Sequence, residues 1–375
     1  MKIAFIGTFG VPPRYGGQEA CVDAISRELK KRGHAVTVYG SFAKKGFLFE
    51  NGTYKGIRTL NMRHFRFMPL DFLIRRQLSV IHSIKEHFDV VHLFGIETVV
   101  FAPILRFLGT KTVVTIDGLE WNRESYSPLV RFIIRMVVKL PLILTNACII
   151  DSKYIQELFS RAYQKKPVFI PNGTHYASQT WKIFKARDDI LQKYDLLCNE
   201  YVLFVGRLVN EKRIHILIEA FSKIKTNLKL AIVGNDPFGD DYYKFLQSLA
   251  SDNVAFLGSI FGSDLDHILA GSYFYITASE IEGSSPAIIA AMGMGKAVIV
   301  SGTPQNREVV GPEGALFSPG NVQELQGIIS DLLSSPKKVK ELGHSMRERA
   351  EQLFSWDGIV DQLESLYYEI SNMTN

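Results

Sequence analysis

Residues 277–311 read TASEIEGSSPAIIAAMGMGKAVIVSGTPQNREVVG. The run 273–277 just before is apolar and aromatic, as a strand buried on both faces requires. A polar loop with Glu280, Glu282, Gly283, Ser284 and Ser285 follows. Pro286 suits the first turn of a helix, with Ser285 as its N-cap. The helix is expected over 286–294, closed by Gly293 and Gly295, and 296–301 is the next strand. Strand, loop, helix, strand predicts a parallel α/β sheet. A helix start fronted by small residues and an acid, at the end of such a strand, is a place to hold a phosphorylated or hydroxylated ligand.

Working outward, 201–206 (YVLFVG) opens a sheet, and RLVNEKR follows at 207–213. Arg207 comes straight after the strand, and Lys212 is expected in the first turn of the next helix. Cations fixed there suit a leaving group that gains negative charge; Arg offers a rigid fork and Lys a point charge. The chain's start repeats the pattern: strand 2–7, loop TFGVPPRYGG at 8–17, a helix to about 31, strand 36–39. This βαβ unit again implies a parallel sheet. Its glycines lack the spacing of a dinucleotide fingerprint. Gly16 and Gly17 open the helix beside Gln18 and Glu19, and a plain turn fits that spacing as well as a binding loop does.

At 375 residues, two domains are expected, with 174–200 as the connection. No targeting segment is expected, because Lys2 starts a strand at once. The most apolar stretch, 132–144, is interrupted by Arg135 and Lys139 and is too short to span a bilayer. Cys21, Cys148 and Cys198 lack metal or redox spacing and fit reduced thiols in a cytoplasmic protein. Residues 1–175 hold 25 Lys+Arg against 13 Asp+Glu, and 176–375 hold 18 against 25, so +12 and −7 make up the net +5. The basic first half suggests an anionic partner, membrane phospholipid first and nucleic acid second; the plain alternative is a solvated surface with uneven charge. Arg131, Arg135 and Lys139 fall at i, i+4, i+8 on an apolar helix expected over 127–140. A membrane-surface helix and a buried helix with a solvated stripe fit that pattern equally.

Other readings are local. Strands are expected within 52–66, at 89–93, 111–116, 147–151, 167–170, 230–234 and 254–257, and helices over 70–87, 331–354 and 356–370. Asp264-Leu265-Asp266 resembles a metal motif, but Ser263-Asp264 reads as an N-cap and first helical turn, so no metal is expected. Asn306-Arg307-Glu308 is expected in a loop after Pro304.

The stretch EGSSPAIIAAMGMGKAVI at 282–299 resembles the donor-site signature of the retaining GT-B glycosyltransferases of family 4, the group 1 transferases. RLVNEKR resembles that family's phosphate-binding motif. RYGGQE at 14–19 and DGLEW at 117–121 resemble a bacterial rhamnosyltransferase-like subgroup. The resemblance implies two Rossmann-like α/β domains facing across a cleft: 1–175 for the acceptor, 176–354 for the nucleotide-sugar, and 355–375 a helix crossing back to the first domain. It implies Arg207, Lys212 and Asp117 as catalytic. Donor contacts fall on Arg207, Lys212, Glu282, Gly283, Ser284, Ser285, Pro286, Gly16 and Gly17. Acceptor contacts fall on Arg14, Tyr15, Glu19, Asp117, Glu120 and Trp121.

The implied reaction needs no metal or other cofactor. It moves a sugar, rhamnose or another hexose, from a dTDP-, UDP- or GDP-linked donor to a saccharide or lipid-linked acceptor in cell-surface polysaccharide synthesis. The site would be at the inner face of the cell membrane, with no nucleic acid involved. One position departs from the pattern. Family members carry a second Glu eight positions after the first, and here that position is Ala290. A catalytically impaired homologue acting as a binding subunit is therefore an alternative. A nucleotide-dependent epimerase or dehydrogenase is disfavoured by the poor N-terminal fingerprint.

Overall fold

The computed structural model describes residues 1–13, 16–41, 49–63, 71–116, 119–122, 124, 126–177, 184–236 and 241–372. The chain divides into two compact units: 1–120, 132–172 and 356–375 form the first, and 121–131 with 173–355 the second.

The first unit holds an eight-stranded sheet. Its strands are β1 (Lys2–Ile6), β2 (Ala35–Gly40), β3 (Phe49–Tyr54), β4 (Ile57–Met62), β5 (Val90–Phe94), β6 (Lys111–Ile116), β7 (Ala147–Ile150) and β8 (Val168–Phe169). Their spatial order is β3-β4-β2-β1-β5-β6-β7-β8. All neighbours are parallel except the hairpin β3–β4 at one edge. The C-terminal helix Trp356–Asn372 belongs to this unit: Trp356, Ile359, Leu363, Tyr367 and Ile370 share one core with Ile3, Phe5, Val90 and the helix Gly17–Lys31. The second sheet is β9 (Tyr201–Val205), β10 (Lys229–Val233), β11 (Val254–Gly258), β12 (Phe274–Thr277), β13 (Val298–Ser301) and β14 (Ala315–Phe317), in the order β11-β10-β9-β12-β13-β14 and wholly parallel.

Both orders reverse beside the first strand of the unit, which is the doubly wound arrangement: chain growth goes outward one way, then returns and goes outward the other. Both faces of the second sheet are covered. Val202 and Phe204 of β9 enter one core while Tyr201 and Leu203 enter the other. This is why these strands read as continuous apolar runs instead of alternating.

Several expected boundaries shift. The helix expected over 127–140 is two, Pro128–Val137 and Leu140–Leu144. Pro141 cannot donate to a continuing helix but fits the first turn of a new one. Pro336 divides the stretch after Val322 in the same way, into Val322–Ser334 and Pro336–Leu353. Asn306, Arg307 and Glu308 lie on the helix Pro304–Val310, not in a loop; Thr303 caps it by accepting from the Asn306 N–H at 3.3 Å. The helix bearing Asp264 and Asp266 starts at Ser263 with Gly262 at its N-cap. No described helix is long and apolar enough to cross a membrane.

Candidate active site

In a doubly wound sheet, ligands bind outside the carboxyl ends of the strands where the order reverses. In the second unit that point lies between β9 and β12, which pair in parallel with Phe274 opposite Val202. The two loops singled out in the sequence leave these strands side by side.

After β9 comes Gly206, then Arg207, then a single 3-10 turn, Asn210–Lys212. Lys212 is in this turn and not in the following α-helix, which starts at Ile214. Arg213 between them takes a left-handed backbone, φ 50°, so the chain reverses before the helix begins. The close approach of backbones here needs Gly234 at the end of β10. A Cβ on it would stand 1.8 Å from the Gly206 carbonyl oxygen, and its φ of 147° suits glycine.

After β12, the backbone N–H of Glu280 donates to the Glu211 carbonyl at 3.1 Å, joining the two loops directly. Two ion pairs reinforce that bond. Lys212 Nζ pairs with Glu282 Oε1, both largely enclosed at 14% and 13% side-chain exposure. Arg213 donates through Nε to Glu280 Oε2 at 3.0 Å, and through its two terminal nitrogens to Glu124 at 3.1 and 2.7 Å. Burial pulls the Arg213 pKa down, but the bonds to Glu124 and Glu280 outweigh it and the net shift is upward. Arg207 is half-buried, and its guanidinium makes no hydrogen bond or ion pair among the described residues.

Gly283 follows, then Ser284 and Ser285, which are buried, and Pro286 begins the helix Pro286–Gly293. Ser285 holds the N-cap position, but its side chain makes no capping hydrogen bond, so the expected side-chain cap is absent. Ala290 lies one turn into the helix, half-buried against the core.

The structure thus brings Lys212 and Glu282 into contact and sets Arg207, Gly283, Ser284, Ser285 and Pro286 on the same two loops. Two residues of this site carried no assignment from the sequence, Arg213 and Glu124. The only signal was a third cation beside Lys212, and no spacing rule connects it to an acid 89 positions earlier.

The first unit holds Gly16, Gly17, Glu19 and Glu120, while Trp121 falls with the second unit. Gly16 is the N-cap of Gly17–Lys31. Glu19 is 3% exposed, and its carboxylate accepts from the Phe9 N–H at 3.0 Å, so it ties down the loop after β1. Arg14, Tyr15 and Asp117 lie outside the described residues.

The described residues include no group of three or more His, Cys, Asp or Glu arranged to hold a metal ion. The second unit sets Arg207, with no acid partner among the described residues, beside the ion-paired Lys212 and Arg213 on loops at the carboxyl ends of a parallel sheet. That arrangement can bind an oxyanion and stabilise charge that develops on it.

Comparison with known proteins agrees with this geometry. Residues 187–352 match the model of "Glycosyl transferases group 1", and 15–177 that of "Glycosyltransferase Family 4". Spore coat protein SA of Bacillus subtilis is 29% identical over 98% of this chain and 99% of its own. Sucrose-phosphate synthase of Thermosynechococcus elongatus superposes with a TM-score of 0.82 at 23% identity, over 98% of both chains. HepE of Anabaena, solved with UDP and glucose, does so at 0.77 and 23%, over 98% of this chain and all of its own. With a family 4 model matching its first part, a group 1 model matching its second, and GT-B enzymes sharing its fold throughout, the chain belongs to the family 4, group 1 glycosyltransferases of GT-B fold.

Proposed function

We propose that this glycosyltransferase moves a hexose or 6-deoxyhexose of the rhamnose kind, with retention, from a nucleoside-diphosphate donor to a saccharide or lipid-linked saccharide in cell-surface polysaccharide synthesis. The observation that carries the reading is the grouping of Arg207, Lys212 and Glu282 at the strand-order reversal of the second sheet. Arg207 and Lys212 hold the donor's diphosphate. As the bond from the sugar's anomeric carbon to the phosphate oxygen breaks, that oxygen gains charge, and fixed cations lower the barrier without rearranging. Glu282 keeps the Lys212 ammonium in place and, with the Gly283–Ser285 loop, meets the donor. The acceptor hydroxyl adds to the face the phosphate leaves, and its proton passes to the departing phosphate oxygen. The two cations do the charge neutralisation that other transferases assign to a metal, so no cofactor is proposed.

Two features favour a dTDP-linked donor. The 117–121 stretch resembles rhamnosyltransferases, and Ala290 has no acceptor for the ribose hydroxyl that a deoxyribose lacks. The setting proposed is the inner face of the cell membrane. UDP- and GDP-sugars are the donors to compare in a thermal-shift panel.

The first test is Arg207→Ala. Turnover should fall on the order of 10²-fold or more, as when a preorganised charge donor is removed, with the thermal midpoint retained. Near-normal turnover in both Arg207→Ala and Lys212→Ala would sink the assignment.

A further inference from the structure

The helix Pro128–Val137 has no buried residue. Leu129, Phe132, Ile133 and Met136 are 67, 61, 49 and 61% exposed. They recur at i, i+3, i+4 and i+7 and therefore form one face. A helix of a globular domain turns such a face toward its core; this one presents it outward.

More apolar surface is exposed elsewhere in the first unit. The second short helix, Leu140–Leu144, exposes Ile143 (49%). Arg106 donates to the Ile143 and Leu144 carbonyls, both at 3.3 Å, which brings the end of the helix Ala102–Phe107 alongside. Phe107 there is 90% exposed and Leu108 55%.

The segments that carry these residues hold charges of one sign. Residues 125–150 contain Arg131, Arg135 and Lys139 and no Asp or Glu, and residues 98–116 contain Arg106 and Lys111 and no acid either. Lys165 joins from the side, donating to the Leu142 carbonyl at 3.3 Å. Arg135 and Lys139 are exposed and form no ion pair among the described residues.

From this we infer that the outward face of Pro128–Val137 docks on an anionic phospholipid surface. Leu129, Phe132, Ile133 and Met136 enter the boundary between head groups and acyl chains. Arg135 and Lys139 remain with the phosphates. Charge complementarity selects this occupant. A symmetric contact with a second copy would bring the same cations face to face with no carboxylate between them. A neutral apolar partner would leave those cations without counter-charge. The inference deepens the proposed function by giving the surface at which a lipid-linked acceptor is met. Vesicle binding is measured without donor or turnover, so either can fail alone.

The test is co-sedimentation of the full chain with phosphatidylcholine vesicles, with and without phosphatidylglycerol. Binding should need phosphatidylglycerol and weaken as salt rises. The exposed-site variant Phe132→Ser/Ile133→Ser/Met136→Ser should keep its thermal midpoint and lose about tenfold or more in vesicle affinity. Arg135→Gln/Lys139→Gln should lose affinity and show a shallower salt dependence. Tyr368→Ser, an exposed aromatic on the C-terminal helix, should bind as the parent does. The inference is overturned by equal binding to neutral and anionic vesicles, by no binding to either, or by unchanged binding of the triple variant. A dimer in solution that the triple variant abolishes, without vesicle binding, would reassign the face to self-association.

Discussion

Ala290 is the residue at which this site departs from its family's pattern. A carboxylate at that position could accept charge-assisted hydrogen bonds, each contributing about 1.5–3 kcal/mol, and an alanine offers none. The two acids nearest in sequence to the site, Glu280 and Glu308, were the natural substitutes, but Glu280 is engaged by Arg213. Arg207, Lys212 and Glu282 are all present on adjoining loops. A site abandoned by its substrate would have no reason to keep Lys212 and Glu282 paired and enclosed. The expected result of Ala290→Glu is therefore no gain in donor affinity, or a loss, because the new carboxylate would sit half-buried and the proposed dTDP-linked donor lacks that hydroxyl. A gain of about tenfold, or ~1.4 kcal/mol, with faster turnover would show an impaired enzyme being repaired. Titration calorimetry with dTDP- and UDP-sugars distinguishes the two.

At the scale of elements, the loop after β12 is held in place by a helix that does not belong to the site. Asn306 is fully buried on Pro304–Val310. Its amide donates to the Ser279 carbonyl at 3.1 Å, the Ser301 carbonyl at 3.0 Å and the Ser301 hydroxyl at 3.1 Å. Ser301 in turn donates to the Ser279 carbonyl. The ends of β12 and β13 are thus joined just before Glu280 and Glu282. Replacing Asn306 by Leu removes the donor and leaves buried carbonyls short of a partner, at a cost of about 1–3 kcal/mol. The urea midpoint should fall accordingly. Turnover should fall as well, because the loop carrying Glu282 loses its anchor. A midpoint within ~0.5 kcal/mol of the parent would show that the amide is not structural.

Over the whole molecule, the C-terminal helix is fastened to the first sheet through a buried histidine. His92 on β5 lies between the Tyr367 hydroxyl and the Thr115 hydroxyl, 2.7 Å from each, at 1% exposure. Burial lowers its pKa from 6.5 to about 3. Between those values the unfolded chain takes up a proton that the native chain refuses. Stability is therefore highest above the unfolded pKa and is lost as pH falls toward 3, with a slope approaching about 1.4 kcal/mol per pH unit. His92→Gln lacks this term. Its urea midpoint should lie below the parent's near neutral pH, and the gap should narrow as the medium is acidified through pH ~5. A gap independent of pH would place His92 elsewhere in the titration.

What the sequence determined by itself was whatever depends on neighbours along the chain. Apolar runs such as 201–206 and 273–277, each followed by glycine or small residues and a helix start, specify a βαβ repeat. That repeat restricts the sheet to parallel pairing and places the site at strand ends. The place of Arg207 was legible because it follows such a strand directly, and that of Glu282 because it precedes Pro286, whereas Lys212 was expected in the helix and lies in the turn before it. The local context of single residues was less legible: proline restarts at Pro141 and Pro336, and the cap at Thr303, shift element ends by the chemistry of one backbone N–H.

Only the tertiary structure decided which distant loops meet. The pairs Lys212–Glu282 and Arg213–Glu280, 70 and 67 positions apart in the chain, exist because β9 and β12 are neighbours in space. It also decided which way an amphipathic helix turns. The pattern in 128–137 fits a membrane-surface helix and a buried helix equally, and its apolar face is exposed; burial depends on the surface a helix meets, which periodicity does not encode.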